Sequence, residues 1–338
     1  MVVTLTLADD TFQKTWDGCV VSSPHGTIFH TWQWLKLIEK QSLTKLLPIL
    51  IYKGTVLIAL YPVFLQKRYF YTLALSPPFG AYMVYLGPVI IDYESSKQDT
   101  RENLFIQIQQ EVDKYIFGKN KCAFSLIRTS PGLSDPRPLR WAGYRIDPLF
   151  TYRIPLQEGT DAVWEKLEKK LRVNIKKAVK EGVTVRLGDW EDLEFIHDSL
   201  YKRYIEQGLK PTDNKKYLFT IYQKFYPDNL KIFVAEYKGQ RISGCFYLCF
   251  KNIMYFWVGL PKTDLVGLSP NDLIQWEAIK WAQSNGLEYF ELMDAGDDPR
   301  LRYFKSKYNP ELVIWYSAIK YSSFVYKFGE KLFQFFRK

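Results

Sequence analysis

Three histidines, four cysteines and four methionines are few for a chain of 338 residues. His25, His30 and His197 stand at no ligand spacing from any cysteine, which argues against a zinc site. Cys19, Cys122, Cys245 and Cys249 form no dense disulfide framework. Cys245 and Cys249 share one face of a strand-like run but lie too far apart along it for a bridge, so buried thiols are expected. No apolar run reaches the ~18 residues that a membrane-spanning helix needs. No basic, apolar and small-residue succession marks a signal peptide, and a reducing, cytoplasmic setting is expected. Nor does any Ser-His-Asp or Cys-His arrangement stand out, so no covalent enzyme intermediate is expected.

What is abundant is apolar and basic. Hydrophobic residues make up 47% of the chain and aromatics 17%, ample for a core. The length exceeds that of most single domains, so two domains or one duplicated domain are expected. A net charge of +10, from 46 basic and 36 acidic residues, favours partners that carry phosphate: nucleotides, RNA or an anionic membrane surface.

The order of elements repeats. A short strand and a helix start fill residues 1–20, and His30 to Lys40 predicts a helix with Trp34, Leu37 and Ile38 inward and Lys36, Glu39 and Lys40 on the wet side. Leu46 to Tyr52 and Thr55 to Gln66 read as strands joined at Lys53-Gly54. Met83 to Ile91 predicts a strand, Glu102 to Phe117 a helix and Cys122 to Arg128 a strand, followed by a Pro-rich connection from Pro131 to Pro138. Later, Lys231 to Tyr237 and Ile242 to Phe250 flank Lys238-Gly239, and the triplet Tyr-Lys-Gly recurs at 52 and 237. Ile253 to Val258, Leu273 to Gln283 and Leu287 to Met293 then repeat strand, helix, strand. The succession predicts an internally duplicated α/β (α+β) unit, with domains at 1–150 and 151–320, a tail at 321–338, and a ligand-binding cleft between the halves.

Two stretches carry the candidate chemistry. Asp161 to Glu181 predicts one basic helix whose stripe is Trp164, Leu167, Leu171, Ile175, Ala178 and Val179. Lys169, Lys170, Arg172, Lys176, Lys177 and Lys180 crowd the rest of it, and Glu168 is the one nearby acid weighed against them. Ser269 to Tyr308 begins as a helix, with Ser269 at the N-cap, Pro270 at the first helical position and Asp272 complementing the dipole. Asn285-Gly286 stops it, an apolar strand follows, and Asp294 and Gly296 turn the chain toward Arg300, Arg302, Lys305 and Lys307. Such a loop either binds an anionic substrate or is a solvated surface.

These residues carry a resemblance. Leu171-Arg172-Val173-Asn174-Ile175-Lys176-Lys177-Ala178, continued by Lys180, Gly182 and Val183, resembles the signature RxNIxKAxKxGV of the FemABX-like family of GNAT-type acyltransferases. Pro270-Asn271-Asp272-Leu273, Trp276, Ala282, Gly286 and the pair Phe304-Lys305 are similar to that family's closing helix, strand and Phe-Lys pair. Phe29-His30-Thr31 to Trp34 resembles its N-terminal aromatic helix, and the likeness spans roughly residues 20–316.

The resemblance implies two fused GNAT-like halves. It also implies amide formation, with an acyl or aminoacyl group passing from acyl-CoA or aminoacyl-tRNA to an amine of a cell-wall precursor, lipid-linked sugar or similar acceptor. Both donors carry phosphate, and no permanently bound cofactor or metal is implied. In such chemistry a fixed cation stabilises the oxyanion formed when the amine attacks the carbonyl. By resemblance Lys305 takes that role and Phe304 shapes the pocket; the alternative is a loop lysine paired with Asp294, Asp297 or Asp298. Lys36, Arg172, Lys176, Tyr217, Tyr255, Trp257 and Asp294 are the expected substrate-binding residues, and Gly267, Ser269 and Asn271 the expected donor-binding ones.

The segment Asp264 to Ser269 keeps one glycine where the phosphate loop of this fold has two, a departure that weighs against CoA. Asp213 precedes Tyr217 at a spacing where the aminoacyltransferase branch often has an Arg, and no coiled-coil arm lies between Thr212 and Leu230. In the tail from Ser322 to Lys338, Phe324, Phe328, Leu332, Phe335 and Phe336 predict an amphipathic helix for the inner face of a membrane or for packing on the protein itself. Two other functions stay open: an acetyl-CoA-dependent N-acetyltransferase of polysaccharide synthesis, and a non-catalytic module binding RNA or phosphoglycans through the basic helix.

Overall fold

The computed structural model describes residues 2–93, 97–206, 208, 215–259, 267–294, 296 and 298–322. It divides into two units, the first formed by Met1–Phe150 with the stretch from Ile314 onward, the second by Thr151–Val313. The first contains β1 (Val3–Leu7), α1 (Gln13–Ser22), α2 (Trp32–Gln41), β2 (Lys45–Lys53), β3 (Val56–Arg68), β4 (Tyr71–Ser76), β5 (Val89–Ile90), α3 (Gln98–Asp113), β6 (Phe124–Arg128) and α4 (Arg137–Trp141). After α4 comes β7 (Arg145–Pro155), which leads into the second unit: α5 (Thr160–Lys166), α6 (Lys169–Lys180), β8 (Thr184–Leu187), α7 (Trp190–Glu206), α8 (Lys215–Phe225), β9 (Leu230–Tyr237), β10 (Gln240–Phe250), β11 (Ile253–Gly259), α9 (Pro270–Ser284), β12 (Tyr289–Met293) and α10 (Pro299–Ser306). The last strand, β13 (Glu311–Tyr321), returns to the first unit.

The two hairpins turn at glycines with positive φ, 64° at Gly54 and 75° at Gly239, a conformation that costs a residue without Cβ little. Around them the strand order of the first unit is β1-β2-β3-β4-β6-β13, with β5 beside β3; that of the second is β8-β9-β10-β11-β12-β7. Pairing is antiparallel at every step except the fourth pair, β4 with β6 and β11 with β12, which is parallel. Identical order and sense make the units two copies of one α/β pattern. The sixth strands are exchanged: β7 follows the first unit's α4 and pairs with β12, while β13 follows the second unit's α10 and pairs with β6. The division therefore falls at Ile314 and not at 320 as the sequence predicts, because strand pairing outweighs chain continuity.

Each unit has its own apolar core. In the first, Ile49, Ile51, Tyr61 and Ile90 pack with Phe105, Ile108 and Val112 of α3. In the second, Phe233, Tyr247, Met254 and Phe290 pack with Leu273, Ile274, Ala278 and Ile279 of α9. Between 83 and 91 only Val89–Ile90 is strand, so the counterpart of β11 is β4 and not the strand expected at Met83 to Ile91. The helix expected over Glu102 to Phe117 begins earlier, at Gln98, and continues from Lys114 as a π-helical turn.

The basic helix is two helices. Leu167 (ψ 146°) and Glu168 (ψ 135°) are extended, and Glu168 N donates to Lys307 O at 2.9 Å, so a partner far along the chain captures the amide that a continuous helix would use. Leu171, Ile175 and Ala178 anchor α6 inward; burying each large side chain is worth about 2 kcal/mol. Val179, expected in the stripe, is 56% exposed, and Val163 is buried instead. No helix among the described residues is long and apolar enough to cross a membrane. The tail helix expected over 322–338 lies outside the described residues from 323 on, as do Thr212, Asp213 and the loop residues 260–266.

Candidate functional site

The second unit's one parallel pair opens partway along. β11 and β12 are in register at Ile253 with Tyr289, Met254 with Phe290 and Tyr255 with Glu291, and there the pairing stops. β11 continues to Gly259, held on its other edge by β10, where Cys245 pairs with Gly259. β12 shifts register after Glu291, and Met293 adopts a φ of 60°. For a residue with a side chain that conformation costs on the order of 1 kcal/mol, so the parting of the strands is maintained against local preference.

Lys305 stands at the end of β12. Its helix, α10, starts with Asp298, whose Oδ1 accepts from Arg300 N at 2.8 Å and Leu301 N at 3.4 Å, and with Pro299 in the first helical position. Two turns later the Lys305 side chain is 6% exposed and Nζ donates to Asp294 O at 2.5 Å and Met293 O at 3.4 Å. Both partners are carbonyls, so neither neutralises the charge. Burial pulls the ammonium pKa down to about 8, against the opposing pull of the Asp294 and Glu291 charges. The loop-pairing alternative is corrected in part: Asp298 serves the helix cap and Arg300, Asp294 meets Lys305 through its main chain, and Asp297 lies outside the described residues.

Glu291 faces the same neighbourhood and is fully buried. Its Oε2 accepts from Arg153 Nη2 at 2.6 Å and Nε at 3.2 Å, and Oε1 accepts from Thr151 Oγ1 at 3.2 Å. The Arg153 guanidinium also lies 5.4 Å from the centre of the Tyr289 ring. Tyr255, paired with Glu291 across the strands, is 2% exposed; burial first and the Glu291 charge second push its hydroxyl pKa well up. Trp257, two residues further on, is half-buried on the part of β11 beyond the last pair with β12. Sequence reasoning missed Thr151, Arg153 and Glu291. The available signal was Glu291, a second carboxylate after Glu288 within the mostly apolar run Leu287 to Met293.

A second polar cluster ties three helices. Asp272, in the first turn of α9, is 6% exposed; its Oδ2 accepts from Asn174 Nδ2 of α6 at 3.1 Å and its Oδ1 from Lys307 Nζ. Lys307 also stands 4.3 Å from the centre of the Phe304 ring, and Phe304 contacts Tyr308 edge to face at 5.9 Å. Gly267 has a φ of +90°, and a Cβ there would sit 3.4 Å from Lys177 Nζ, so a flexible cation of α6 covers the approach to the α9 N-terminus. Ser269 occupies the N-cap without a side-chain cap bond, and Asn271 Oδ1 accepts from Ser243 Oγ at 2.5 Å.

The remaining expected residues are dispersed. Arg172 pairs with Glu165 at 2.7 Å, an acid not weighed against the basic helix from the sequence. Lys176 lies 5.7 Å from the centre of the Trp164 ring, which packs on Trp276 at 4.8 Å. Tyr217, an expected substrate-binding residue, is 3% exposed on the packed face of α8 with Leu218 and Ile221. Lys36 belongs to the first unit, on α2, where it pairs with Glu39 at 2.9 Å.

Residues 165–306 match the family described as Acetyltransferase (GNAT) domain. The match falls within the second unit. Solved structures are similar over nearly the whole chain. FemX is 15% identical with a TM-score of 0.72, covering 92% of this chain and 96% of its own. L-PGS from Bacillus licheniformis is 14% identical with a TM-score of 0.55, covering 92% of both chains. A tandem GNAT protein from the clavulanic acid biosynthesis pathway is 11% identical with a TM-score of 0.52, covering 95% of this chain and 98% of its own. At such identities the likeness speaks for the fold: two fused GNAT-like subdomains, in agreement with the repeated strand order. No curated protein matches the sequence.

Proposed function

We propose that this chain is an acyltransferase that forms an amide by direct transfer to an amine of a cell-envelope precursor or a lipid- or nucleotide-linked sugar. The observation that carries the reading is the buried Lys305 ammonium, bonded among the described residues only to main-chain carbonyls where β11 and β12 part. A cation in such a place is stabilised less by its surroundings than by a developing oxyanion, which is what acyl transfer to an amine produces. Phe304 and Trp257 supply apolar walls, and the Glu291, Arg153 and Thr151 group holds the end of β12.

For the donor, acyl-CoA is the first choice. Gly267 with its left-handed backbone, Lys177 beside it and the N-terminus of the 15-residue α9 form a set that fits a pyrophosphate, even with one glycine in the loop. Ser269 and Asn271 are the further donor contacts in this reading. Aminoacyl-tRNA is the second reading, favoured by the likeness to FemX and L-PGS and by the cations of α6. Arg172, Lys176 and Asp294 are assigned to the acceptor.

The test is a mass-spectrometric donor screen, offering acyl-CoA and charged tRNA in turn with envelope precursors. Amide product from one donor, abolished in Lys305→Met, is the expected result. Product from neither donor, together with salt-sensitive RNA binding, overturns the reading in favour of a binding module.

A further inference from the structure

One end of the first unit's sheet carries a surface that the catalytic reading leaves unused. The β3–β4 hairpin reverses at Tyr69-Phe70, and these two side chains are 95% and 93% exposed. Phe70 touches only the Tyr71 ring, at 5.7 Å, among the ring contacts of the described residues. Lys67 and Arg68, immediately before the tip, are also exposed. The strand register brings further groups to the same end. Lys45 opens β2 opposite Leu65, so Leu43, 91% exposed, precedes it there. Ala123 N donates to Thr72 O at 2.9 Å, which sets the exposed Lys119 and Lys121 beside the base of the hairpin. The acids nearest in sequence are engaged: Glu39 with Lys36, Asp113 with Lys320 and Glu111 with Lys114.

The second unit supplies a control. Its equivalent turn, between β10 and β11, is Lys251-Asn252, and Asn252 is bound by Glu288 through Nδ2 at 2.6 Å and through its carbonyl. It carries no aromatic residue. An exposed aromatic tip is therefore not required by the architecture, and two fully solvated rings at a hairpin end confer no stability on the unit.

We propose that this end of the first unit docks on the surface of an anionic phospholipid bilayer, with Tyr69, Phe70 and Leu43 entering the interface and Lys67, Arg68, Lys45, Lys119 and Lys121 meeting lipid phosphates. The order of chemistry fits that occupant. Apolar and aromatic groups project furthest, where headgroups give way to acyl chains, and cations ring them one step behind, within reach of the negative surface. Charge complementarity favours a lipid over a neutral protein face. β13 ends at this same edge, where Ser322 N donates to Ala123 O at 2.9 Å, and the sequence after it is again rich in Phe and Lys. The proposal stands apart from the catalytic reading; it concerns where the enzyme works and not what it transfers.

Flotation of the full chain with vesicles of phosphatidylcholine, with and without phosphatidylglycerol, tests it. The wild type is expected to float with the anionic vesicles only and to be released by raised salt. The pair Tyr69→Ser and Phe70→Ser, and separately Lys67→Glu and Arg68→Glu, are each expected to weaken binding at least tenfold with unchanged melting temperature and unchanged oligomeric state. Absence of wild-type binding to anionic vesicles overturns the proposal. So does wild-type-like flotation of the tip variants, including the case in which only removal of 323–338 abolishes it. A tip variant that splits an oligomer while vesicle binding persists overturns it in favour of a second copy of the chain.

Discussion

The two units share strand order, strand sense and hairpin turns, yet they treat the parallel pair at their centre differently. In the first, β4 and β6 stay in register from Leu73 with Phe124 to Ser76 with Ile127. Leu86 then takes over beside β6, donating to Arg128 O at 2.8 Å and bridging to Thr129. In the second, register stops at Tyr255 and Glu291. Two lysines follow suit, Lys320 partly buried and Lys305 buried. Lys320 Nζ of the first unit donates to the Asp113 carboxylate at 2.5 Å and to Ala142 O at 2.7 Å, and Asp113 is bound in turn by Tyr144 and Gln109. Among the described residues, Lys305 of the second meets carbonyls alone. A lysine closed by a carboxylate locks a core, whereas one left with an excess of charge can respond to an incoming anion. The same architecture thus yields a fastening in one copy and, in the proposed function, a site for chemistry in the other.

The comparison breaks most visibly at Lys305. Lys305→Met is expected to lower kcat by about 10²–10³-fold, the usual effect of removing one stabiliser of an oxyanion, without lowering the melting temperature at pH 7. Steady-state kinetics beside a thermal melt decide this; retained kcat removes the proposed role. Lys320→Met is expected to do the reverse, costing about 3 kcal/mol of stability by leaving Asp113 partly buried without its cation, while kcat per folded molecule stays unchanged. Denaturant unfolding and an activity titration separate the two effects.

A smaller effect lies in pH. The Lys305 pKa of about 8 is below the ordinary 10.5, so between those values the unfolded chain binds the extra proton and stability should rise with pH through that window. Turnover should fall over the same range as the cation is lost. The Lys305→Met variant should lack the stability rise, and a turnover that increases above pH 8 would instead identify Lys305 as a base. Smallest is Lys177→Ala, expected to raise the KM for a phosphate-bearing donor about threefold to tenfold with kcat nearly constant, since a single flexible cation adds binding of roughly 1 kcal/mol.

Much of this is legible in the order of residues. The duplicated succession, both hairpin turns, the span of α9 and the C-terminal stop at Asn285-Gly286 follow from turn chemistry and apolar period, which act over a few residues. Phe304 and Lys305 are legible through resemblance. The interruption of the basic helix at Leu167 is not, because its cause is a hydrogen bond to Lys307 O. Neither is the burial of Tyr217, since one aromatic on an amphipathic helix reads alike for core and surface. The strand expected at Met83 to Ile91 shrinks to two residues for the converse reason: apolar residues there pack against β3 and β6 mostly without forming a ladder.

What the sequence determined by itself is the set of parts and their repetition, because glycine turns, helix stops and apolar period are properties of neighbouring residues. Only the tertiary structure decided the exchange of the sixth strands, the union of Thr151 and Arg153 with Glu291, and the setting of Lys305 among carbonyls. Those depend on which distant backbone groups and charges are brought together when water is excluded, and burial gives a charge its chemical character only once its neighbours are fixed.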